Sequence, residues 1–495
     1  MSIENKFYIN RGVKMTEYIF KCFRTKRNGY FYDRHRNEIV KVTDEEYEEL
    51  CFVNQGRINP EKSSVFQKYQ QQGLFQENIV KKIQHPETDY LEHHMNNRLG
   101  QLILQVTQQC NLRCSYCAYS GKYKNNRTHS NKRMTWDIAK KAIDFYVARI
   151  IEKEEAIISF YGGEPLLEFE LIKQCVAYAK DKIQGKPLRF AMTTNGTLLT
   201  DEVVDFLQKE KFETLISLDG AEKEHDCNRK YASGKGSFQD IMKNVKRIKE
   251  RYPEYGTTLM FNTVVNPQAD VRNVQKYFDN DKLLEENHIS FNLLRPKDLD
   301  EVIPYSKEAL CIRKFEYLKV LLALTYKVKL SSVSKIVREG IGVPLKFYKE
   351  MSKKTRLTEE CHHNGPCLPG IQRLFITVEG KFFPCEKVDE MVDAHCIGDI
   401  QNGFRLNKLK ELLNIGKITE EECKQCWNLQ NCSMCIDNIE CVGEEKQCKR
   451  NKLKVCQEKK EEVLQNLYEL CVLKELGCDF EGAFNREEYD DISIS

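Results

Sequence analysis

The stretch Thr107-Gln-Gln-Cys110-Asn-Leu-Arg-Cys114-Ser-Tyr-Cys117 decides how the chain reads. It follows the apolar run Leu102-Ile-Leu-Gln-Val106, so its three cysteines sit on a loop leaving a β-strand. Thiolates spaced C-x3-C-x2-C can hold three corners of a four-iron cluster, leaving the fourth iron open to a small chelating molecule. A structural zinc normally takes four ligands supplied close together. No fourth Cys or His follows within ten residues, His129 being the nearest. Zinc, or three unrelated thiols, is the weaker reading.

Outward from this loop, apolar β-prone runs alternate with amphipathic helical pattern. Strands are expected at 102–106, 156–161, 188–193, 214–218, 258–265 and 288–294, with helices at 135–151, 168–183, 200–210, 237–251 and 271–282. Six such units predict an α/β fold around a curved parallel sheet, with chemistry gathered at the C-terminal strand ends. Those ends carry Gly162-Gly163-Glu164-Pro165, Thr194-Asn195-Gly196 and Ser217-Leu-Asp219-Gly220. Arg229 follows within His225-Asp-x-x-Arg-x-x-x-x-Gly-x-Gly-Ser-Phe238. Singly, each phrase could be an ordinary turn; in this order, each after a strand, coincidence becomes a poor account.

Together with Tyr116 before the third cysteine, these motifs resemble the radical S-adenosylmethionine (SAM) enzymes. The resemblance implies a partial (β/α)6 barrel over residues 101–300. It implies that Cys110, Cys114 and Cys117 hold the SAM-cleaving 4Fe-4S cluster, with Tyr116 in the cofactor site. Gly162, Gly163 and Glu164 would receive the SAM ammonium, and Asn195, Ser217 and Arg229 its carboxylate or ribose.

Twenty-one cysteines, eleven of them between Cys361 and Cys456, suit soft-metal ligation better than disulfides in a reducing compartment. Cys22, Cys51, Cys175, Cys227, Cys311, Cys396, Cys471 and Cys478 stand alone and read mostly as ordinary buried thiols. Cys361-x5-Cys367, Cys385 and Cys423-x2-Cys426-x5-Cys432-x2-Cys435, with Cys441, Cys448 and Cys456 beyond, resemble a SPASM extension over residues 359–457. Two residues separate the last pair, where that extension usually has three. The nearer resemblance is therefore to maturases of cysteine-rich peptides, supported by Gly365-Pro-Cys-Leu-Pro-Gly370 and Cys426-Trp427. It implies two auxiliary 4Fe-4S clusters, making three in all. Cys361, Cys367, Cys385 and Cys435 would hold one, unless it lacks Cys361 and keeps an open iron. Cys423, Cys426, Cys432 and Cys456 would hold the other, with Cys448 and Cys441 as rivals for the last place. A zinc ribbon is the competing account of the C-x2-C pairs.

Residues 1–85 read as a separate module. Tyr18–Phe23 and Tyr30-Phe-Tyr flank the turn signal Arg27-Asn-Gly29, Ile39–Val42 gives a third strand, and Thr43 with Glu46 forms a capping box. A further helix runs from about Ser64 to Gln72 and stops at Gly73. Strands followed by helices resemble a PqqD-like recognition element, a winged helix-turn-helix fold whose role is to take a leader peptide as an added strand. Residues 86–100 are expected as a linker, 301–358 as bridging helices (306–326 helical), and 458–495 as a solvated cap with a helix at 462–476.

The formal charge of +3, from 77 basic and 74 acidic residues, gives no reason to expect nucleic acid. No apolar run approaches a membrane span and no signal peptide opens the chain, so a cytoplasmic protein is expected. The family likeness implies cleavage of SAM to a 5′-deoxyadenosyl radical, driven by an external flavodoxin- or ferredoxin-type donor. The radical would form thioether crosslinks, cysteine sulfur to carbon, in a ribosomally made cysteine-rich precursor peptide bearing a leader, as in sactipeptide and ranthipeptide maturation. Another SPASM oxidation, such as formylglycine formation, is the enzymatic alternative. An iron–sulfur nucleic-acid-binding regulator is the alternative of a different class.

Overall fold

The computed structural model describes residues 18–122, 127–267, 269–294, 305–353, 356–439 and 445–484. The chain divides into two compact units. The first combines Met1–Pro86, Pro344–Pro366 and Asn414–Gly477; the second combines Glu87–Val343, Cys367–Leu413 and Cys478–Ser495. The cysteine-rich stretch is thus shared between them.

In the first unit, β1 (Phe20–Arg24), β2 (Gly29–Asp33) and β3 (Glu38–Val42) form an antiparallel sheet in that order. The hairpin is tied by Thr25, whose Oγ1 accepts from the Arg27 and Asn28 amides at 3.1 and 3.0 Å. Gly29 serves packing here, since a Cβ on it would lie 2.8 Å from the Tyr47 side chain. Helix α1 (Asp44–Asn54) lies over that glycine and opens on the expected capping box, Glu46 N–H to Thr43 Oγ1 at 3.2 Å and Thr43 N–H to Glu46 Oε2 at 3.0 Å. Helix α2 (Ser64–Gln71) stops before Gly73, whose φ of 83° a side chain would resist. Phe20, Phe31, Leu50, Phe66 and Phe75 close the core, Phe66 stacking on Phe75 at 4.7 Å.

Cys22 of β1 and Cys51 of α1 do not stand alone. They hydrogen-bond each other, and that bond holds the Cys51 thiol down at about 7. β4 (Lys82–Ile83) pairs in parallel with Glu360–Cys361. The C-terminal helix departs from expectation, running from Glu445 to Glu475 rather than from residue 462. It is no solvated cap, because Val463, Leu467, Leu470, Cys471 and Leu473 are buried. Its Lys- and Glu-rich first half hides the helical pattern from a hydropathy reading, while the apolar stripe is carried by its second half.

The second unit is built on β5 (Gln101–Thr107), β6 (Ala156–Gly162), β7 (Leu188–Thr194), β8 (Glu213–Ser217), β9 (Met260–Val265) and β10 (His288–Leu293). These pair in parallel in sequence order, with helices between them. Arg373–Ile376 extends the sheet in parallel beyond β5, and Lys381–Phe383, Gly398–Asp399 and Gly403–Phe404 complete it as an antiparallel meander. The fold is therefore α/β with a mostly parallel sheet. Alternate strand residues such as Leu102, Leu104, Val106, Ile158 and Phe160 are fully or almost fully buried. β9 begins later than expected because Pro253–Thr258 forms a short helix. The expected linker holds a 3-10 turn, Pro86–Thr88, and a helix, Leu91–Asn97, with Leu91 and Leu99 buried. No helix among the described residues is long and apolar enough to cross a membrane.

Candidate cofactor sites

β5 pairs regularly with β6 up to Gln105↔Tyr161, then slips by a bulge so that Thr107 faces Gly162. The bulge aims the chain into the cysteine loop. Gly163 N–H donates to Thr107 O at 3.0 Å and Glu164 N–H to Gln109 O at 2.9 Å, so the loop root is stitched to the Gly-Gly-Glu backbone. Both glycines are obligatory for that approach. A Cβ on Gly162 would lie 2.2 Å from Thr107 O, and one on Gly163 2.2 Å from Gln109 O.

Within the loop, Cys110 Sγ accepts the Leu112 amide at 3.3 Å and Cys117 Sγ the Tyr119 amide at 3.4 Å. Such bonds favour the thiolate form that a cluster requires. Burial opposes it, pushing Cys110 up to about 12 and Cys114 to about 11, with the Arg229 guanidinium restraining Cys114. A cluster bound here would displace three thiol protons. The donor set fits a four-iron cluster with one open position: three soft sulfurs on one loop, partly exposed.

The strand ends pin this loop from two sides. Asn195 Nδ2 donates to Asn111 Oδ1 at 2.8 Å and approaches Cys110 Sγ at 3.7 Å, while Asn111 Nδ2 donates to Thr197 Oγ1 at 2.8 Å. On the other side Ser115 Oγ donates to Asn228 Oδ1 at 2.7 Å, and the Arg113 amide to Lys230 O at 2.7 Å. Ser217 closes β8 opposite Asn262.

Two expected ligand-binding side chains are engaged within the fold. Glu164 is fully buried and accepts from Thr194 Oγ1 and the Asn195 amide, both at 2.7 Å, and from the Leu166 amide at 3.1 Å. Burial lifts its carboxyl to about 7 against these bonds. Arg229 pairs with Asp219 at 3.0 Å beneath Tyr116, whose hydroxyl also meets Asp219. The motif around Arg229 is also braced within the fold. His225 is buried, and burial together with Arg229 holds it down at about 3, hence neutral. Ser237 Oγ donates to Arg229 O at 2.8 Å, so it accepts from His225 Nε2–H, leaving Nδ1 to accept the Asp219 amide at 3.2 Å. Gly236 is required because a Cβ there would strike Asp226.

The first unit contains a second thiol site. Cys423, Cys426, Cys432 and Cys456 line one narrow pocket with His363, Lys452 and Lys460. Cys448 packs in a small core with Cys432 and Cys456, and Cys441 lies outside the described residues. Arg34, at the β2–β3 turn, is 2 % exposed and donates to Lys424 O at 2.7 Å and Cys426 O at 3.4 Å. Asn431 Nδ2 donates to Tyr32 Oη at 2.9 Å, and Trp427 meets Tyr32 edge-on. The sheet module and this pocket therefore form one packed body. Cys361 packs against Cys423 with Ile83 and Leu429. Of its three expected co-ligands, Cys435 belongs to the first unit, Cys367 and Cys385 to the second. Among the described residues no three His, Cys, Asp or Glu side chains are drawn tightly enough around one point to hold a single metal ion.

Asn111, Thr197, Asp219, Asn228, His225 and Ser237 escaped the sequence reading as site-building residues, although each lies inside or beside a motif. Lys452 gave no such signal, because its helix was not legible.

Residues 104–271 match the family model described as the Radical SAM superfamily. The chain is 28% identical over 319 residues to an uncharacterized protein of Methanocaldococcus jannaschii, covering 64% of this chain and 94% of that one. It is 25% identical to a cysteine-type anaerobic sulfatase-maturating enzyme of Clostridium perfringens, covering 66% and 86%. It is 26% identical to the radical SAM cyclopropyl synthase TigE of Paramaledivibacter caminithermalis, covering 55% and 58%. Among solved structures, anSMEcpe with bound AdoMet and the Kp18Cys peptide superposes with a TM-score of 0.54 at 21% identity, over 76% of this chain and 98% of that one. The chain thus carries a radical SAM domain, similar in sequence to the anaerobic sulfatase-maturating enzymes and sharing the anSME fold.

Proposed function

We propose that this protein is a SAM-cleaving peptide maturase that installs thioether crosslinks in a ribosomally made, cysteine-rich precursor. The observation that carries the reading is the presence in one chain of the cysteine loop stitched to Gly162 and Gly163 and, in the other unit, of a second thiol pocket formed by Cys423, Cys426, Cys432 and Cys456. When bound, SAM and the loop cluster supply a carbon radical strong enough to take an unactivated hydrogen. The chain's own residues do the rest. Cys110, Cys114 and Cys117 hold the cluster, and Asn195 keeps the loop in place through Asn111. Glu164 shapes the strand end, since its carboxylate is enclosed, so the ammonium of SAM falls to the neighbouring main chain. Arg229 stays on Asp219 and places Tyr116 and a positive charge near Cys114. Cys423, Cys426, Cys432 and Cys456 hold one auxiliary cluster. Cys361, Cys367, Cys385 and Cys435 are the proposed ligands of the other.

β3 is an edge strand with half-exposed residues, and an extended leader peptide would add to such an edge through main-chain bonds. The test is co-expression with a short, cysteine-rich reading frame and mass spectrometry of the product. The peptide should lose two hydrogens per ring, and the crosslinked cysteines should resist alkylation. Conversion of a cysteine to an aldehyde with loss of sulfur would instead favour the second reading, a sulfatase-type oxidation, which rests on the similarity to the sulfatase-maturating enzymes. Tight, salt-sensitive duplex DNA binding without SAM cleavage would defeat both.

A further inference from the structure

The pocket in the first unit contains a charge that no carboxylate among the described residues balances. Lys452 is 1 % exposed, and its ammonium bonds Thr419 Oγ1 and reaches Cys423 Sγ at 3.6 Å. Thr419 Oγ1 itself lies 3.3 Å from the same sulfur. Among the described residues no acidic side chain comes within ion-pair distance of Lys452, and the nearby Glu422 is paired with Lys449 at 2.8 Å. A buried ammonium without a counter-charge is strongly disfavoured, so its position calls for negative charge in the pocket. The walls offer one source: thiols that become thiolates when they ligate a metal or cluster. His363, 2 % exposed, lines the same wall.

We infer that Lys452 is the built-in counter-cation and sulfur hydrogen-bond donor of the group held by Cys423, Cys426, Cys432 and Cys456, a positioning residue that raises that group's reduction potential. The inference rests on the auxiliary-cluster reading above. Lys452 and Cys456 stand four residues apart on one helix, so the element that brings the last thiol also brings the cation. Reduction adds an electron to an already anionic site, and a fixed cation beside a ligand sulfur favours the reduced form. Thr419 aims the ammonium at the sulfur.

The experiment uses full-length protein reconstituted anaerobically, with Cys110, Cys114 and Cys117 all replaced by Ala so that the loop cluster does not obscure the signal. Iron content and an EPR-monitored redox titration are compared for Lys452, Lys452→Met and Lys452→Arg. With Lys452→Met, iron should stay and the oxidised-to-reduced ratio at a fixed potential should rise about tenfold, ~59 mV for one electron. Lys452→Arg should remain near the parent. Loss of iron in Lys452→Met but not Lys452→Arg would equally show that the charge is needed. An unchanged potential, or loss of iron in both variants, overturns the role assigned to Lys452. Zinc in place of iron, or iron indifferent to replacing Cys426 and Cys432 together by Ala, overturns the cluster reading itself.

Discussion

Cys110, Cys114 and Cys117 come from eight consecutive residues, whereas Cys423, Cys426, Cys432 and Cys456 come from a short helix, a loop and a second helix that begins at Glu445. The first set is held by main chain, through a β-bulge, two glycines and N–H···S bonds. Its nearby cation, Arg229, already has Asp219 as counter-ion. The second set is held by packing of distant segments around Lys452, a cation unmatched by any carboxylate among the described residues. A loop fixed by its own backbone can leave one side open for a molecule that comes and goes. A pocket with surplus positive charge is completed by what it holds. On the proposed reading, one site serves exchange and the other retention.

The largest effect should come from breaking the first set alone. Replacing Cys110, Cys114 and Cys117 together by Ala should bring 5′-deoxyadenosine formation below detection while about eight of about twelve irons remain. Undiminished SAM cleavage in that variant would erase the distinction between the sites. Gly163→Val sharpens the comparison without touching a thiol. With its Cβ driven at Gln109 O, stability should fall by about 1–3 kcal/mol and SAM cleavage by roughly 100-fold, with iron at the pocket unaffected. Wild-type kinetics would show the stitching to be incidental.

For the pocket, Cys456→Ala should cost about four irons, whereas Cys448→Ala should cost none. The reverse pattern would transfer the fourth place to Cys448. The smallest effect is a pH dependence at Glu164. Its carboxyl is raised to about 7 in the folded state by burial, so the folded protein binds the proton more tightly than the unfolded chain. Stability should therefore decline as pH rises from about 4.5 to 7 and level off above. Glu164→Gln should flatten that slope by about 1 kcal/mol or more, measured as the variant-minus-parent difference in melting temperature between pH 5 and pH 8. Parallel curves would show that Glu164 is ionised throughout.

The same contrast explains what the sequence disclosed. The loop site was legible because its ligands, its strand and its glycines are local, and the six strands announce themselves by apolar runs of about the right length. β9 was misplaced only where Pro253 starts a helix that a β-prone window absorbs. The pocket was half legible. Cys423, Cys426 and Cys432 share a segment, but Cys456 and Lys452 depend on a helix whose first half is so rich in Lys and Glu that no apolar stripe marks it. Glu164 and Arg229 were assigned to SAM by their motifs, which name residues and not the partners they also hold within the fold. Thr194 and Asp219, the groups that engage them, become visible only in three dimensions.

Arg34 has a consequence for how such a chain can be cut and recombined. Its buried guanidinium closes the Lys424–Cys426 backbone, so the N-terminal sheet buttresses the turn that carries two of the pocket's thiols and is not an appendage. Truncation at residue 85 would strip that support and leave the Lys424 and Cys426 carbonyls without the Arg34 donor. The sheet and the segment 414–477 belong to one packed unit, so a viable chimera has to exchange both together.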